Sequence, residues 1–425
     1  AERYHGAPVP PAAPAEGVRV VKPVSEVFEL KIKAKYGELE HEFTPQFRNV
    51  LNDWIKDTAT DPFADPDYLL EITYVTPPLK EFVKSVISKL NSEGIVGGPL
   101  RRGFGFGKTH ALIFLWHIFT SKDFYKKAGI GISYVDDVIK ETLVLGMDYE
   151  SEEPFKTLYE VLETYTRKKH SIADVKDECL LKTVSEVLKK YMNDENEKMK
   201  LLSDPVRLAE VIASVLKEYR DNCEKKPRLL LLIDELGRGL EVRLNVYVNG
   251  VINKRQDASL DLIYGEAFNV ITFLDVLYSK LSNLRDAAAV VIWVAADQDL
   301  EAIKAHGSAA STEKEVHERI DAILRHLDIL AQRYSRAEGG LAFAEPYDPN
   351  DPGYALEIAR YRVLDIAGGV KDQDEYVTKL GELQKEYIAW LDSVAKEYNL
   401  AGTLATYKEE LRRHYPFSLG LIRLL

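Results

Sequence analysis

The chain has 425 residues, 46% of them hydrophobic and 29% charged, with a net charge of −12. That length implies roughly two to three structural units and an ample core. The acidic balance argues against a constitutive polyanion binder while leaving room for a local basic surface. No run approaches the ~18 apolar residues of a membrane-spanning helix, and the first residues lack the basic-then-apolar order of a secretory signal. No membrane partner and a cytoplasmic location are therefore expected. Cys179 and Cys223 cannot make a disulfide framework, and no Cys/His spacing suggests zinc, so a reducing compartment is the default. Few Met beside many Lys, Glu and Tyr lean toward a thermophile composition.

Residues 1–23, rich in Pro and Ala, read as an extended arm. From Phe28 to Ala34 apolar residues alternate with Glu29, Lys31 and Lys33, which is a strand period. Thr44-Pro45 opens a helix with Phe47, Val50, Leu51, Trp54 and Ile55 on one face. After the loop Asp61 to Asp67, Thr76 is placed to cap a helix carrying Leu79, Phe82, Val83, Val86, Ile87 and Leu90. Residues 24–92 thus form a flanking region ahead of a domain over 93–345.

That domain opens on Arg102-Gly103-Phe104-Gly105-Phe106-Gly107-Lys108-Thr109-His110, followed at once by the apolar run Ala111 to Phe119. A glycine-rich turn opening into a helix is a phosphate cradle. Several backbone N–H donors must converge on triphosphate oxygens, and bulky residues would block that approach. Gly103 through His110 are the candidate nucleotide-binding residues. Lys108 would place its ammonium on the β/γ-phosphates, and the Thr109 hydroxyl would ligate magnesium. Arg102 stands where the usual pattern has its first glycine. The bland alternative is a flexible Gly/Phe loop that happens to end in Lys-Thr. A buried strand should feed the loop, and the candidate, Gly94 to Leu100, is a poor one because it holds Gly97-Gly98 and Pro99.

Ile130 to Val135 reads as a second strand, and the segment from about 137 to 222 as a helical insertion. Its apolar faces include Phe155, Leu158 and Leu162, then Val184, Val187 and Leu188, then Ile212, Val215 and Leu216. Leu229 to Ile233 followed by Asp234-Glu235 is a buried parallel strand presenting two carboxylates at its carboxyl end. Asp234 would hold magnesium through its water shell, and Glu235 would orient and deprotonate the attacking water. A core strand capped by a solvated acid pair is the alternative, and it loses force beside Gly107-Lys108-Thr109. Leu244 to Asn253, centred on Asn249-Gly250, carries a hairpin signal over about 243–256. Whether it packs on its own subunit or carries Lys254 and Arg255 to a polyanion stays open. A helix with Phe268, Ile271, Leu274, Leu277 and Leu281 leads to a buried strand, Ala288 to Ala296, ending at Asp297-Gln298. A charged helix, about Thr312 to Arg333, precedes a short strand candidate, Leu341 to Ala344. The proline-rich loop Glu345 to Gly353 marks a boundary. Residues 346–425 read as helical, over Tyr354 to Ile366, Tyr376 to Tyr398 and Leu404 to His414.

A phosphate loop, an Asp-Glu strand end and a further strand ending in polar residues together resemble the AAA+ ATPases. More narrowly, the chain resembles an archaeal and bacterial AAA+-like family often encoded beside DNA methylases and helicases. The residues carrying this are Asp65-Pro66-Asp67-Tyr68, Thr73-Tyr74-Val75-Thr76, Gly103 to His110 with His117, Leu229 to Leu236, and Tyr415 to Ile422. The resemblance implies an α/β P-loop NTPase fold, AAA+-like, with a parallel sheet, a helical insertion and a C-terminal helical lid. It implies ATP and Mg2+ as cofactors, a homo-oligomer, and action on DNA or a DNA-modifying protein partner. It also implies a polar γ-phosphate sensor at Asp297 or Gln298, with Gln298 preferred because it adds no charge to an anionic site. An arginine finger would come from Arg333 or Arg336, whose planar fork neutralises spread-out charge; a solvated helix-end arginine is the alternative for each. The chain departs from the family at Arg102 and at Ser418-Leu419-Gly420, where a His-Pro-Glu-like segment is expected. Such proteins continue well past this point, so the chain is expected to be an N-terminal portion. The leading expectation is a Mg2+-dependent ATPase. Its rival, favoured by Arg102 and the weak feeding strand, is a slow or inactive nucleotide-gated scaffold.

Overall fold

The computed structural model describes residues 21–22, 24–30, 45–101, 107–167, 174–191, 204–253, 259–309, 314–335 and 364–397. It also describes the short pieces 172, 198, 202, 346, 357–358, 360–362, 407–409, 411–412 and 415–416. The expected N-terminal arm up to residue 20, Arg102 to Phe106 of the expected phosphate loop, Lys254-Arg255, Arg336, the strand candidate Leu341 to Ala344 and Phe417 to Ile422 lie outside the described residues. The chain divides into two units. One comprises 36–71 and 75–349, the other 1–35, 72–74 and 350–425, so the flanking region 24–92 is shared between them.

In chain order, β1 (Phe28–Leu30) belongs to the smaller unit. In the larger one, α1 (Phe47–Lys56) buries Phe47, Val50 and Leu51 at helical spacing and stops at Asp57, which adopts left-handed backbone. α2 (Pro66–Ile72) follows a one-turn 3-10 helix at Pro62–Ala64. α3 (Pro77–Asn91) starts as its sequence directs: the Thr76 hydroxyl accepts from the Leu79 N–H at 3.3 Å, and prolines fill the first turn, where their missing N–H costs nothing. Its six apolar positions are all buried. Next come β2 (Gly94–Leu100), α4 (Lys108–Thr120), α5 (Val135–Glu141) and β3 (Thr142–Asp148). α6 (Pro154–Thr164), α7 (Glu178–Tyr191) and α8 (Pro205–Cys223) lead to β4 (Arg228–Asp234). α9 (Leu236–Ile252) and α10 (Ser259–Ser282) lead to β5 (Ala288–Val294), which is followed by α11 (Asp297–Ala309) and α12 (Lys314–Ser335).

The four strands described in this unit form one all-parallel sheet in the order β2-β5-β4-β3. β3, β4 and β5 are buried along their whole length, which is why they read as unbroken apolar runs. From β2 to β3 the chain crosses the sheet one way, and from β3 through β4 to β5 it steps back. Right-handed crossovers therefore place α4 on one face and α8 and α10 on the other. α4 is apolar all round and is buried from Ala111 to Thr120.

β2 explains its own odd composition. Among the described residues it pairs on one side only, so Pro99 sits on an edge where a missing N–H is tolerated. A side chain at position 97 would run into the Val291 carbonyl oxygen of β5 and the Tyr334 ring of α12. Only glycine lets the two strands and the tyrosine close on one another.

Several expectations are corrected. Ile130 to Val135 is not a strand: α5 already starts at Val135, and the second strand of the sheet is Thr142–Asp148, inside the segment read as a helical insertion. That insertion resolves into α6, α7 and α8, the crossover between β3 and β4. The hairpin at Leu244 to Asn253 is instead part of α9. Leu236, Leu240, Leu244, Tyr247 and Val248 recur at helical spacing and are buried, and this face outweighs the Asn249-Gly250 turn signal. Gly250 is a glycine for packing, because a side chain there would meet Leu260. The two cysteines are not free thiols either. Cys179 in α7 and Cys223 at the end of α8 are joined by a disulfide.

In the smaller unit β1 pairs antiparallel with β6 (Leu364–Ile366), a stretch expected to be helical. α13 (Gln373–Glu397) follows it. Phe28, Tyr361, Leu364, Ile366, Tyr376 and Leu391 belong to its apolar core. No helix among the described residues is long and apolar enough to cross a membrane.

Candidate active site

The carboxyl ends of the sheet strands collect the charged residues. Gly107 caps α4 with φ 73° and ψ 24°, a left-handed conformation that favours glycine. Lys108, the first residue of α4, is buried, although burial and the positive end of the helix both oppose its charge. Burial pulls its ammonium below the usual lysine range, and Glu235, Asp234, Asp299 and Asp297 act against that pull. Thr109 Oγ1 donates to Asp234 Oδ1 at 3.3 Å, joining residues 125 positions apart. The His110 ring meets Phe63 edge-on, with centroids 6.3 Å apart. His117, two turns further along α4, is tied by its ring nitrogens to Phe63 O at 2.9 Å and Ser121 Oγ at 2.8 Å; burial lowers it to about 4, so it is a neutral strut.

Asp148 and Asp234 end neighbouring strands in register and are both buried. Burial pushes the Asp234 carboxyl well up, and Glu235 and Asp148 push it further. Asp148 is raised by burial as well, while its Oδ1 accepts the Glu150 N–H at 2.9 Å. Glu235 has φ 51° and ψ 29°, left-handed backbone at a non-glycine residue, costing on the order of 1 kcal/mol. The turn is needed because α9 begins at the next residue and presses onto the end of β5: a side chain at Gly237 would lie 3.0 Å from Ala295 Cα and 3.1 Å from Asp299. Burial, then Asp148, Glu150 and Asp299, raise the half-buried Glu235 carboxyl to about 7, with Lys108 opposing. Arg243 of α9 fixes the turn after β3 by donating to Tyr149 O at 2.7 Å and Ser151 O at 2.8 Å, with its guanidinium 4.6 Å from the Tyr149 ring centre.

Lys108, Thr109, Asp234 and Glu235 are thus brought together as their spacing predicts. Gly103, Phe104, Gly105 and Phe106 lie outside the described residues. Asp297 and Gln298 open α11 and both are exposed; the Asp297 N–H donates to Arg101 O at 3.0 Å, tying α11 to the strand that feeds the loop. Asp299, two residues past Asp297, is buried beside them. Arg333 pairs with Asp275 of α10 on a half-exposed surface. Sequence reasoning missed Asp148, Glu150 and Asp299. Asp148 does carry a signal, an apolar run closed by an acid as in Leu229 to Asp234, but position 148 is placed beside 234 only by strand pairing.

Chemically, the arrangement offers a phosphate counter-charge, a hard-oxygen pair and a carboxyl poised near neutral pH. Among the described residues no three His, Cys, Asp or Glu side chains converge to cage a metal. The Thr109 hydroxyl and Asp234 carboxylate fit a magnesium ion, which characteristically takes few protein oxygens and completes its shell with phosphates and water. Compared with protein-family models, curated proteins and solved structures, the chain matches none.

Proposed function

We propose that the chain binds ATP with Mg2+ and hydrolyses it, as an AAA+-like P-loop NTPase that couples nucleotide state to action on DNA or on a DNA-modifying partner. One observation carries the reading: Thr109 meets Asp234 at 3.3 Å, with Lys108 beside both Asp234 and Glu235 in charge terms. Lys108 and the N–H groups of the first turn of α4 would take the phosphates. Thr109 and Asp234 would hold magnesium, which when bound neutralises charge on the transferring phosphoryl group. Glu235 would accept a proton from water as the water oxygen bonds to the γ-phosphorus and the bond to the β,γ-bridging oxygen breaks, releasing ADP and phosphate. Arg333, half-exposed beside Asp275, is the described arginine available to act across a boundary in a homo-oligomer.

The test is steady-state ATP turnover with and without Mg2+ and DNA. Lys108→Ala should weaken ATP binding. Glu235→Gln should keep binding and lower kcat by about 10²-fold or more, since it is isosteric yet cannot take the proton. Wild-type turnover by Glu235→Gln removes Glu235 as the base, and no Mg2+-dependent turnover by the wild type ends the ATPase reading. A second reading, a slow nucleotide-gated scaffold, is favoured by the crowding of Asp148, Glu150 and Asp299 on Glu235. It predicts tight nucleotide binding with negligible kcat.

A further inference from the structure

We infer that Arg238 is a positioning residue for the hydrolytic step, holding the acidic turn after β3 and the start of α11 in place around Glu235. This rests on the ATPase reading above. Arg238 lies in the first turn of α9, three residues past Glu235. Its Nη1 donates to Glu241 Oε2 at 2.6 Å, and its Nε stands 3.7 Å from Glu150 Oε1. Glu241 is buried, and its other oxygen lies 2.8 Å from His306 Nε2 in the last turn of α11. At the opposite end of α11, Asp299 packs against Gly237, and Arg238 is the foremost charge acting on it, ahead of Lys108. One guanidinium therefore touches the turn after β3 and the first two turns of α9, is linked through Glu241 to the last turn of α11, and acts by charge on Asp299 near its start.

What those elements carry matters for Glu235. Glu150 and Asp299 are among the acids that bear on it. Without a cation between them, the like charges would push the β3 turn and α11 apart, and the carboxylate they flank would lose its fixed surroundings. Arginine suits the task because its planar fork serves two carboxylates at once, whereas lysine offers a single point charge. The Arg238 side chain is 47% exposed, so its ion pairs add little to global stability. A geometric role and a stabilising role can therefore be separated by measurement.

The experiment compares wild type, Arg238→Ala, Arg238→Lys and the double variant Arg238→Ala/Glu150→Gln. The readouts are kcat and KM for ATP, Kd for a non-hydrolysable ATP analogue with Mg2+, and the melting temperature. Arg238→Ala should lose about tenfold or more in kcat, as expected when a reacting group is misplaced by a fraction of an ångström to an ångström. Analogue Kd should stay within about threefold and the melting temperature within about 2 °C. Arg238→Lys should recover part of the kcat, and the double variant should recover part by removing the repulsion. An unchanged kcat in Arg238→Ala, or a kcat loss matched by equal losses in Kd and melting temperature, overturns the role. A wild type without Mg2+-dependent turnover overturns the ATPase reading itself, and is told apart from failure of Arg238 alone by the active wild type the latter requires.

Discussion

Glu235 is held in left-handed backbone with a carboxyl raised to about 7, and both conditions bear on how it would work. A base must be ionised to accept a proton, so kcat/KM for ATP should climb about tenfold per pH unit below pH ~7 and level off above it. A flat profile across that range would exclude Glu235 as the titrating base. The same shift has a stability consequence. A carboxyl whose folded pKa lies above its unfolded value near 4.3 binds its proton more tightly when folded. Its contribution is complete below the unfolded value and is lost as pH rises through about 7. Buried His117 and Lys176, both lowered by burial, work in the opposite direction, so the comparison should be between proteins rather than between pH values alone. Glu235→Gln should gain melting temperature over wild type at pH 8 but not at pH 4, on a scale of about 2–4 °C per kcal/mol. A gain independent of pH would show that ionisation of Glu235 is not what strains the apo site.

Among the elements, α9 links packing to the site most directly. A methyl at Gly239 would strike the Tyr149 carbonyl in the turn that carries Asp148 and Glu150, whereas one at Gly265 in α10 meets open space. Gly239→Ala should cost about 1–3 kcal/mol by overpacking, and Gly265→Ala should gain about 0.5–1 kcal/mol as a helix-interior alanine. Denaturant unfolding would check both, and equal stabilities would contradict the contact between α9 and the β3 turn. This scale also shows what the chain discloses before folding. α3 and α12 follow from apolar spacing because one helical period dominates each stretch, and β4 and β5 from short unbroken apolar runs ending in polar residues. α9 was read as a hairpin because Asn249-Gly250 is a strong local signal, while the helical face that overrules it draws its force from tertiary burial. β3 was overlooked because Leu143-Val144-Leu145-Gly146-Met147 has no period to tell a buried strand from a buried helix. Lys108, Thr109, Asp234 and Glu235 were legible since each motif is contiguous in sequence. Asp148, Arg238 and Asp299 join them only through strand pairing and helix packing, which no local spacing encodes.

At the scale of the molecule, the Cys179–Cys223 bond closes a span of 44 residues between α7 and the helix that leads into β4. Disulfides belong to oxidising compartments or to proteins from hyperthermophiles. A loop of this length should contribute about 2–4 kcal/mol, mainly by restricting the unfolded chain. Cys179→Ser, or treatment with a reductant, should therefore lower the melting temperature by several degrees, while an unchanged melt would mean that the bond is not formed in solution. The strand that this crossover feeds has a different kind of significance. β4 is hydrogen-bonded on both sides, and Leu229 to Ile233 are wholly screened from solvent. Their amides can trade hydrogen for deuterium only when the sheet itself comes apart, so β4, like β5 beside it, should exchange slowly. Asp234 is its last residue, and Thr109 reaches that residue from the start of α4, the helix that follows edge strand β2. The carboxylate proposed to hold magnesium is thus fixed to a part of the fold that opens rarely, and whatever moves on nucleotide binding would have to move around it.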